Sequence, residues 1–160
     1  MKKILSILLM LIPFISCNKN HFVIFDTPYV YITDESGLLS EMAISKDANN
    51  YLTELVVHIN VSDHFYTAPI RVEYEIVCGE GMKEDIDFKL NPVNASPLVF
   101  KEHSYEMPIQ ISWKKSVDFD ESKDNKVIVR LKNSSLPEMQ LGVPGPNHMK
   151  ESFIFTKTSL

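Results

Sequence analysis

Residues 51–61 read YLTELVVHINV, and the fold follows from how this stretch alternates. Tyr51, Thr53, Leu55, Val57, Ile59 and Val61 fall on one side of an extended chain, with Glu54, His58 and Asn60 on the other. Successive side chains of a strand point to opposite faces, so the pattern is that of a half-buried strand, with Leu52 and Val56 as exceptions. The same period continues outward. Ile70, Val72, Tyr74, Ile76 and Cys78 alternate with Arg71, Glu73 and Glu75. Tyr105, Met107, Ile109, Ile111 and Trp113 alternate with Glu106, Pro108, Gln110 and Ser112. Pro108 has no N–H for a ladder, which predicts an edge or a bulge there. Trp113 stands in register with Ile109 and Ile111, which favours core packing over ligand stacking. Val127, Val129 and Leu131 form a further strand, 152–158 (SFIFTKT) a last one and 28–33 (PYVYIT) a first.

Helical periodicity is thin. Residues 35–46 contain Gly37 and no 3.6-residue stripe, so they read as an irregular segment or short strand. Turn-forming residues cluster at 62–69, 79–81, 91–97, 122–125 and 142–147. Short strands at this spacing predict an all-β chain, an immunoglobulin-like β-sandwich of about seven strands.

The 160 residues suit one domain, and a hydrophobic content of 44% supplies a core. The first 17 residues, MKKILSILLMLIPFISC, have a positive start at Lys2 and Lys3 and an apolar run from Ile4 to Ile15. That run is short for a bilayer span and has the length of a signal peptide. The expected division is a signal peptide at 1–16, a tether at 17–26 and the sandwich at 27–160. Loss of Lys2 and Lys3 leaves 14 basic against 21 acidic residues, a net charge of −7. Such a chain repels phosphate backbones, which argues against nucleic acid as a partner, and it is equally unsuited to polybasic attachment to lipid. Cys17 and Cys78 are the two cysteines, too few for a disulfide framework or a metal site.

Residues 14–17, FISC, resemble a bacterial lipobox, in which the cysteine is acylated and becomes the new N-terminus; Phe14 departs from the usual leucine. The resemblance implies lipid on Cys17 and a membrane as partner. An ordinary signal peptide cleaved nearby is the alternative. Further on, VEYEIVCGEG at 72–81, DIDF at 85–88, PLVFKEHSYEMPIQI at 97–111 and NKVIVRLKN at 125–133 resemble a Calx-β-like or related immunoglobulin-like module. With the ending LGVPGPNHMKESFIFTKT at 141–158, the chain is similar to Bacteroidetes lipoproteins associated with polysaccharide-utilisation systems. That resemblance implies an outer-membrane location, on the periplasmic or cell-surface face, and a glycan or another envelope protein as partner.

Candidate sites are few. His64, Phe65 and Tyr66 lie in the loop after the first strong strand, where aromatic rings can stack on the apolar faces of sugars; the competing reading has the rings closing the core. Some Calx-β modules bind calcium through loop carboxylates, and Asp85, Asp87, Asp118 and Asp120 are the matching acids here. Calcium needs six to eight oxygens from converging loops, and without an EF-hand pattern these acids read first as solvated turn residues. The histidines at 21, 58, 64, 103 and 148 lack metal-ligand spacing, and no Gly-x-Ser-x-Gly, HExxH or phosphate-loop pattern occurs. No cofactor is implied, and the chain reads as a binding or scaffold module, not an enzyme. A structural subunit that joins partners through strand edges is the other expectation.

Overall fold

The structure is a computed structural model describing residues 27–62, 66 and 69–159. It is all-β: β1 (Tyr29–Asp34), β2 (Glu41–Ser45), β3 (Tyr51–Asn60), β4 (Ile70–Cys78), β5 (Phe88–Leu90), β6 (Leu98–Phe100), β7 (Glu106–Trp113), β8 (Lys126–Ser134), β9 (Gln140–Leu141) and β10 (Ser152–Thr158). One five-stranded sheet runs β5-β7-β3-β1-β9 and the other β2-β10-β8-β4-β6. The immunoglobulin arrangement places strands A, B, E and D in one sheet and C, F and G in the other. Here β1, β3, β7 and β5 take the first set, and β4, β8 and β10 the second.

Three short strands extend this seven-stranded plan. β2 lies parallel to β10, β9 parallel to β1, and β6 antiparallel to β4. After β4 the chain crosses to β5 in the first sheet, returns to β6 in the second, and crosses again to β7. β6 and β9, of three and two residues, are too short to alternate visibly, and β2 lies in the 35–46 segment read as irregular or a short strand, so the expected count of about seven falls below the observed ten.

The inward residues are those the alternation selects. Leu55, Val57 and Ile59 of β3 face Val127, Val129 and Leu131 of β8 across a core closed by Phe88, Phe100, Trp113, Phe153 and Phe155. Trp113 is fully buried, its ring centroid 5.8 Å from Phe88 and 5.0 Å from Phe155. Its indole N–H donates to Thr53 Oγ1 at 2.9 Å, so the polar tip is satisfied inside the core.

The period fails at strand ends. Tyr51 is exposed, and so is Cys78, which the alternation placed inside. β4 carries an irregularity between Glu73 and Tyr74, and Met82, four residues beyond Cys78, is buried. Pro108 sits where its prolyl nitrogen predicts: β5 pairs only with Ile111–Trp113, so among the described residues no strand pairs with β7 on that side at Pro108.

The two ends of the sandwich differ. At one, here the near end, β1 begins and Tyr29 pairs with Asn60; Val61 and the start of β7 lie there. At the far end Tyr51 pairs with Trp113, and the irregular segments 79–87 and 114–125 meet. Among the described residues no helix is long and apolar enough to cross a membrane.

Candidate functional site

The far end is built on a lysine inside the protein. β10 alternates inward at Phe153, Phe155 and Lys157, so the strand's period carries an ammonium group into the core. Lys157 is 2% exposed. Its Nζ donates to the backbone carbonyls of Asp87, at 3.2 Å, and Lys114, and lies 3.9 Å from Asp87 Oδ1. Burial lowers the ammonium's pKa while the Asp87 charge draws it back up. Asp87 is itself buried; it accepts from the Ser116 hydroxyl and, at 3.0 Å, from Lys83 N–H. This network joins β10 to both far-end segments, because a buried charge must keep its partners.

Two clefts open above it. The larger, about 320 Å³, lies between 80–87 and 115–123, and its walls include Lys83, Ile86, Lys115, Asp118 and Asp120. The other, about 280 Å³, lies against the ends of β8 and β10, beside Glu121, Asn125 and Thr158. Phe119 and Lys123 line both, so the half-buried Phe119 ring stands between them. Ile86 and Val117 are exposed beside the larger cleft. A hydroxyl-rich ligand finds here both apolar surface and carboxylate or ammonium partners.

Gly81 is needed for this geometry. A methyl group at residue 81 would stand 2.0 Å from Asn125 Oδ1. Asn125 in turn donates through Nδ2 to the carbonyls of Asp120, at 2.8 Å, and Lys123, at 3.1 Å, fixing the 120–125 turn.

Three of the four acids singled out in the sequence therefore share one cleft. Asp87 is committed to its network. Asp120 accepts from the hydroxyl and the N–H of Ser122, which hold its carboxyl below the usual range, with Lys123 adding to the effect. Asp118 is exposed on the wall. Asp85 is not a wall residue; it sits at φ +66° in the turn, where its carbonyl accepts from Lys114 Nζ at 2.5 Å. Among the described residues no three His, Cys, Asp or Glu side chains come together as metal ligands. Cys78 is exposed, its thiol pushed up by partial burial and by the carboxylates of Glu84 and Asp87.

Cys17, His64 and Phe65 lie outside the described residues. Tyr66 packs half-buried against the core, its hydroxyl donating to the carbonyl of Lys101 and its ring 5.5 Å from Tyr105. The ring packs at the edge of the core. Phe119, Lys157, Ser116 and Lys83 were not singled out beforehand. Lys157 alone had a readable signal, a lysine on the inward phase of β10.

One arrangement on the opposite face of the first sheet has the spacing of a catalytic triad. Glu106 Oε1 lies 3.2 Å from His58 Nδ1, and His58 Nε2 lies 3.0 Å from Thr33 Oγ1. Thr33 is fully buried, so its hydroxyl is not offered to a substrate as a nucleophile.

No protein-family model matches the sequence, and no curated protein matches it. Among solved structures the chain is similar to EndoBT-3987 of Bacteroides thetaiotamicron, solved with a Man5GlcNAc product. The TM-score is 0.52 at 12% identity, over 79% of this chain and 30% of the other. The likeness shows the fold, and this chain spans under a third of that protein. It also corrects one expectation. The sequence, without a catalytic motif, reads as a binding or scaffold module and not as an enzyme. The same fold occurs within a chain solved with a product, so its architecture is no argument against chemistry.

Proposed function

We propose that the protein is an extracytoplasmic lipoprotein that binds glycan at its far end, held to an outer membrane by lipid on Cys17. The observation that carries this reading is the separation of the two ends. β1 starts at the near end, whereas both clefts and Phe119 lie at the far end. A tether from Cys17 to Pro28 reaches at most about 36–40 Å, so anchoring through it keeps the near end within that distance of the lipid and leaves the clefts at the end away from the attachment point. Acyl chains on Cys17 bury roughly 0.8 kcal/mol per methylene, and two or more make attachment durable. Cleft volumes of about 320 and 280 Å³ suit single sugar residues on either side of the Phe119 ring.

The test is a glycan array that includes Man5GlcNAc, run with the wild-type protein, Phe119→Ala and Asp118→Asn. Binding that weakens at least tenfold in Phe119→Ala supports the reading. An array with no bound glycan removes it.

A second reading, assembly through a strand edge, is favoured by β2. Its outer side carries no strand among the described residues, and Leu38 and Leu39 are exposed just before it. In-cell cross-linking from residue 43 to another envelope protein, with glycan binding absent, would put this reading first.

A further inference from the structure

We infer that β2 and the cleft beside it take up an extended, basic segment of another protein as an added strand. This rests on the strand-edge reading above and names its occupant. Four strands end the two sheets: β5 and β9 in the first, β2 and β6 in the second. β9 has two residues and β5 and β6 three each, and Pro108 blunts β7 where β5 stops. β2 has no such protection. It runs five residues, without proline, in continuous register with Ile154–Thr158 of β10.

The bonds at its two ends fix which way its backbone faces. Ser40 C=O accepts from Ile154 N–H at 3.0 Å, and Lys46 N–H donates to Thr158 C=O at 2.6 Å. Backbone groups alternate in direction along a strand, so Met42 and Ile44 also face β10, and Glu41, Ala43 and Ser45 face outward. Ser45 C=O accepts from Ala48 N–H. The three outward N–H groups and the carbonyls of Glu41 and Ala43 meet no backbone partner among the described residues. Donors and acceptors alternating at strand spacing match another extended backbone.

A side-chain site adjoins this edge. A cleft of about 530 Å³ lies between Met42 and residues 51–54, closed by Asp34, Glu35 and Ser36. Tyr51 and Leu52 are exposed on its wall, and Leu38 and Leu39 are exposed just before β2. An added strand keeps the phase of the sheet, so its inward side chains continue the row of Met42 and Ile44. The turn carrying the two leucines is already fixed: Asp34 accepts from Leu38 N–H at 3.1 Å and Leu39 N–H at 2.9 Å, so little ordering is lost on docking. Charge gives the partner its sign. The cleft wall holds Asp34, Glu35 and Glu54 and no lysine or arginine, and Glu41 is exposed on the edge. The cations of the flanking segments are held, Lys46 and Lys115 by Asp47 and Lys150 by the Gly37 carbonyl. Lys89 pairs with Ser112 and is not on the cleft wall.

The probe is a panel of peptides of about eight residues, alternating apolar and polar positions, with lysine at the polar positions in one series and glutamate in the other. Binding to the purified full-length protein is read by fluorescence anisotropy. The lysine series should bind about tenfold more tightly than the glutamate series, and a central proline in the peptide should remove about as much. Ala43→Pro, which deletes an outward N–H of β2, should weaken binding about tenfold, and Leu52→Ser about fivefold. Leu52 is 53% exposed, so its variant stays folded even where Ala43→Pro disturbs β2. Phe119→Ala should change nothing. No binding by the lysine series, equal binding by the glutamate series, or unchanged affinity in both β2-side variants overturns the inference. A photo-cross-linker at residue 41 in cells separates this failure from that of the reading beneath it. Cross-links to an envelope protein that persist in Ala43→Pro and Leu52→Ser keep assembly at this edge and remove strand addition. Absence of both cross-links and peptide binding removes the two together.

Discussion

Lys157 shows how one residue can set the behaviour of a whole end of the fold. Its ammonium group is enclosed with Asp87, so removing either partner strands a buried charge. Asp87→Ala should cost about 3–5 kcal/mol in urea unfolding. Adding Lys157→Met should recover part of that loss, because the stranded cation is then gone; a double variant no more stable than Asp87→Ala would show that the network is not coupled. The pH dependence has a definite sign. Burial holds Lys157 below its ordinary value of 10.5 in the folded protein, so between the folded and unfolded values the unfolded chain binds more protons. This residue's contribution to stability therefore rises as pH climbs toward 10.5, and Lys157→Met should abolish that rise. Gly81 is constrained in a different way: Gly81→Ala drives a methyl into Asn125 Oδ1 and should cost about 1–3 kcal/mol. Asp34 is a third case. Burial pushes its carboxyl up, but donors at Ser36, Leu39 and Leu38 more than offset this, and the net shift is downward. A lowered carboxyl contributes stability above its ordinary value of 3.8 that is lost as pH falls through the folded value, so Asp34→Asn should flatten acid unfolding in that range.

Among the strands, Trp113 links four. It ends β7, pairs with Tyr51 of β3 and Phe88 of β5, and packs on Phe155 of the opposite sheet. Trp113→Ala should cost about 3–5 kcal/mol, while Trp113→Phe should cost less because most of the ring contact survives. As the single tryptophan, its fluorescence follows wild-type unfolding directly; circular dichroism serves for the variants. The long strands were legible because β3, β7, β8 and β10 each show one face to the core over five residues or more. β5, β6 and β9 were not, because two or three residues hold no period and their pairing is decided by tertiary contact. The candidate sites divide the same way. Asp118 and Asp120 were visible as acids in a turn, but that Phe119 stands between two clefts depends on how the 79–87 segment folds against 114–125. The row of Glu106, His58 and Thr33 was hidden for a related reason: the three are far apart in sequence, and only strand register brings them together.

At the scale of the molecule, the proposed anchor and the proposed ligand sites impose an orientation. With lipid at Cys17, the near end faces the bilayer and Lys101, in the turn before β7, comes close to it. Lys83, Lys115 and Lys123 are exposed at the far end and point away. Amine labelling of the lipidated protein on vesicles should therefore slow at Lys101 relative to the lipid-free Cys17→Ser variant, with Lys83, Lys115 and Lys123 unchanged. The same variant should partition into the aqueous phase of a detergent extraction, since among the described residues no helix is long and apolar enough to cross a membrane. Protection at the far-end lysines instead would place the clefts against the membrane. Their ligand would then have to be a lipid headgroup or a partner at the bilayer surface, because a glycan arriving from the aqueous side could not reach them.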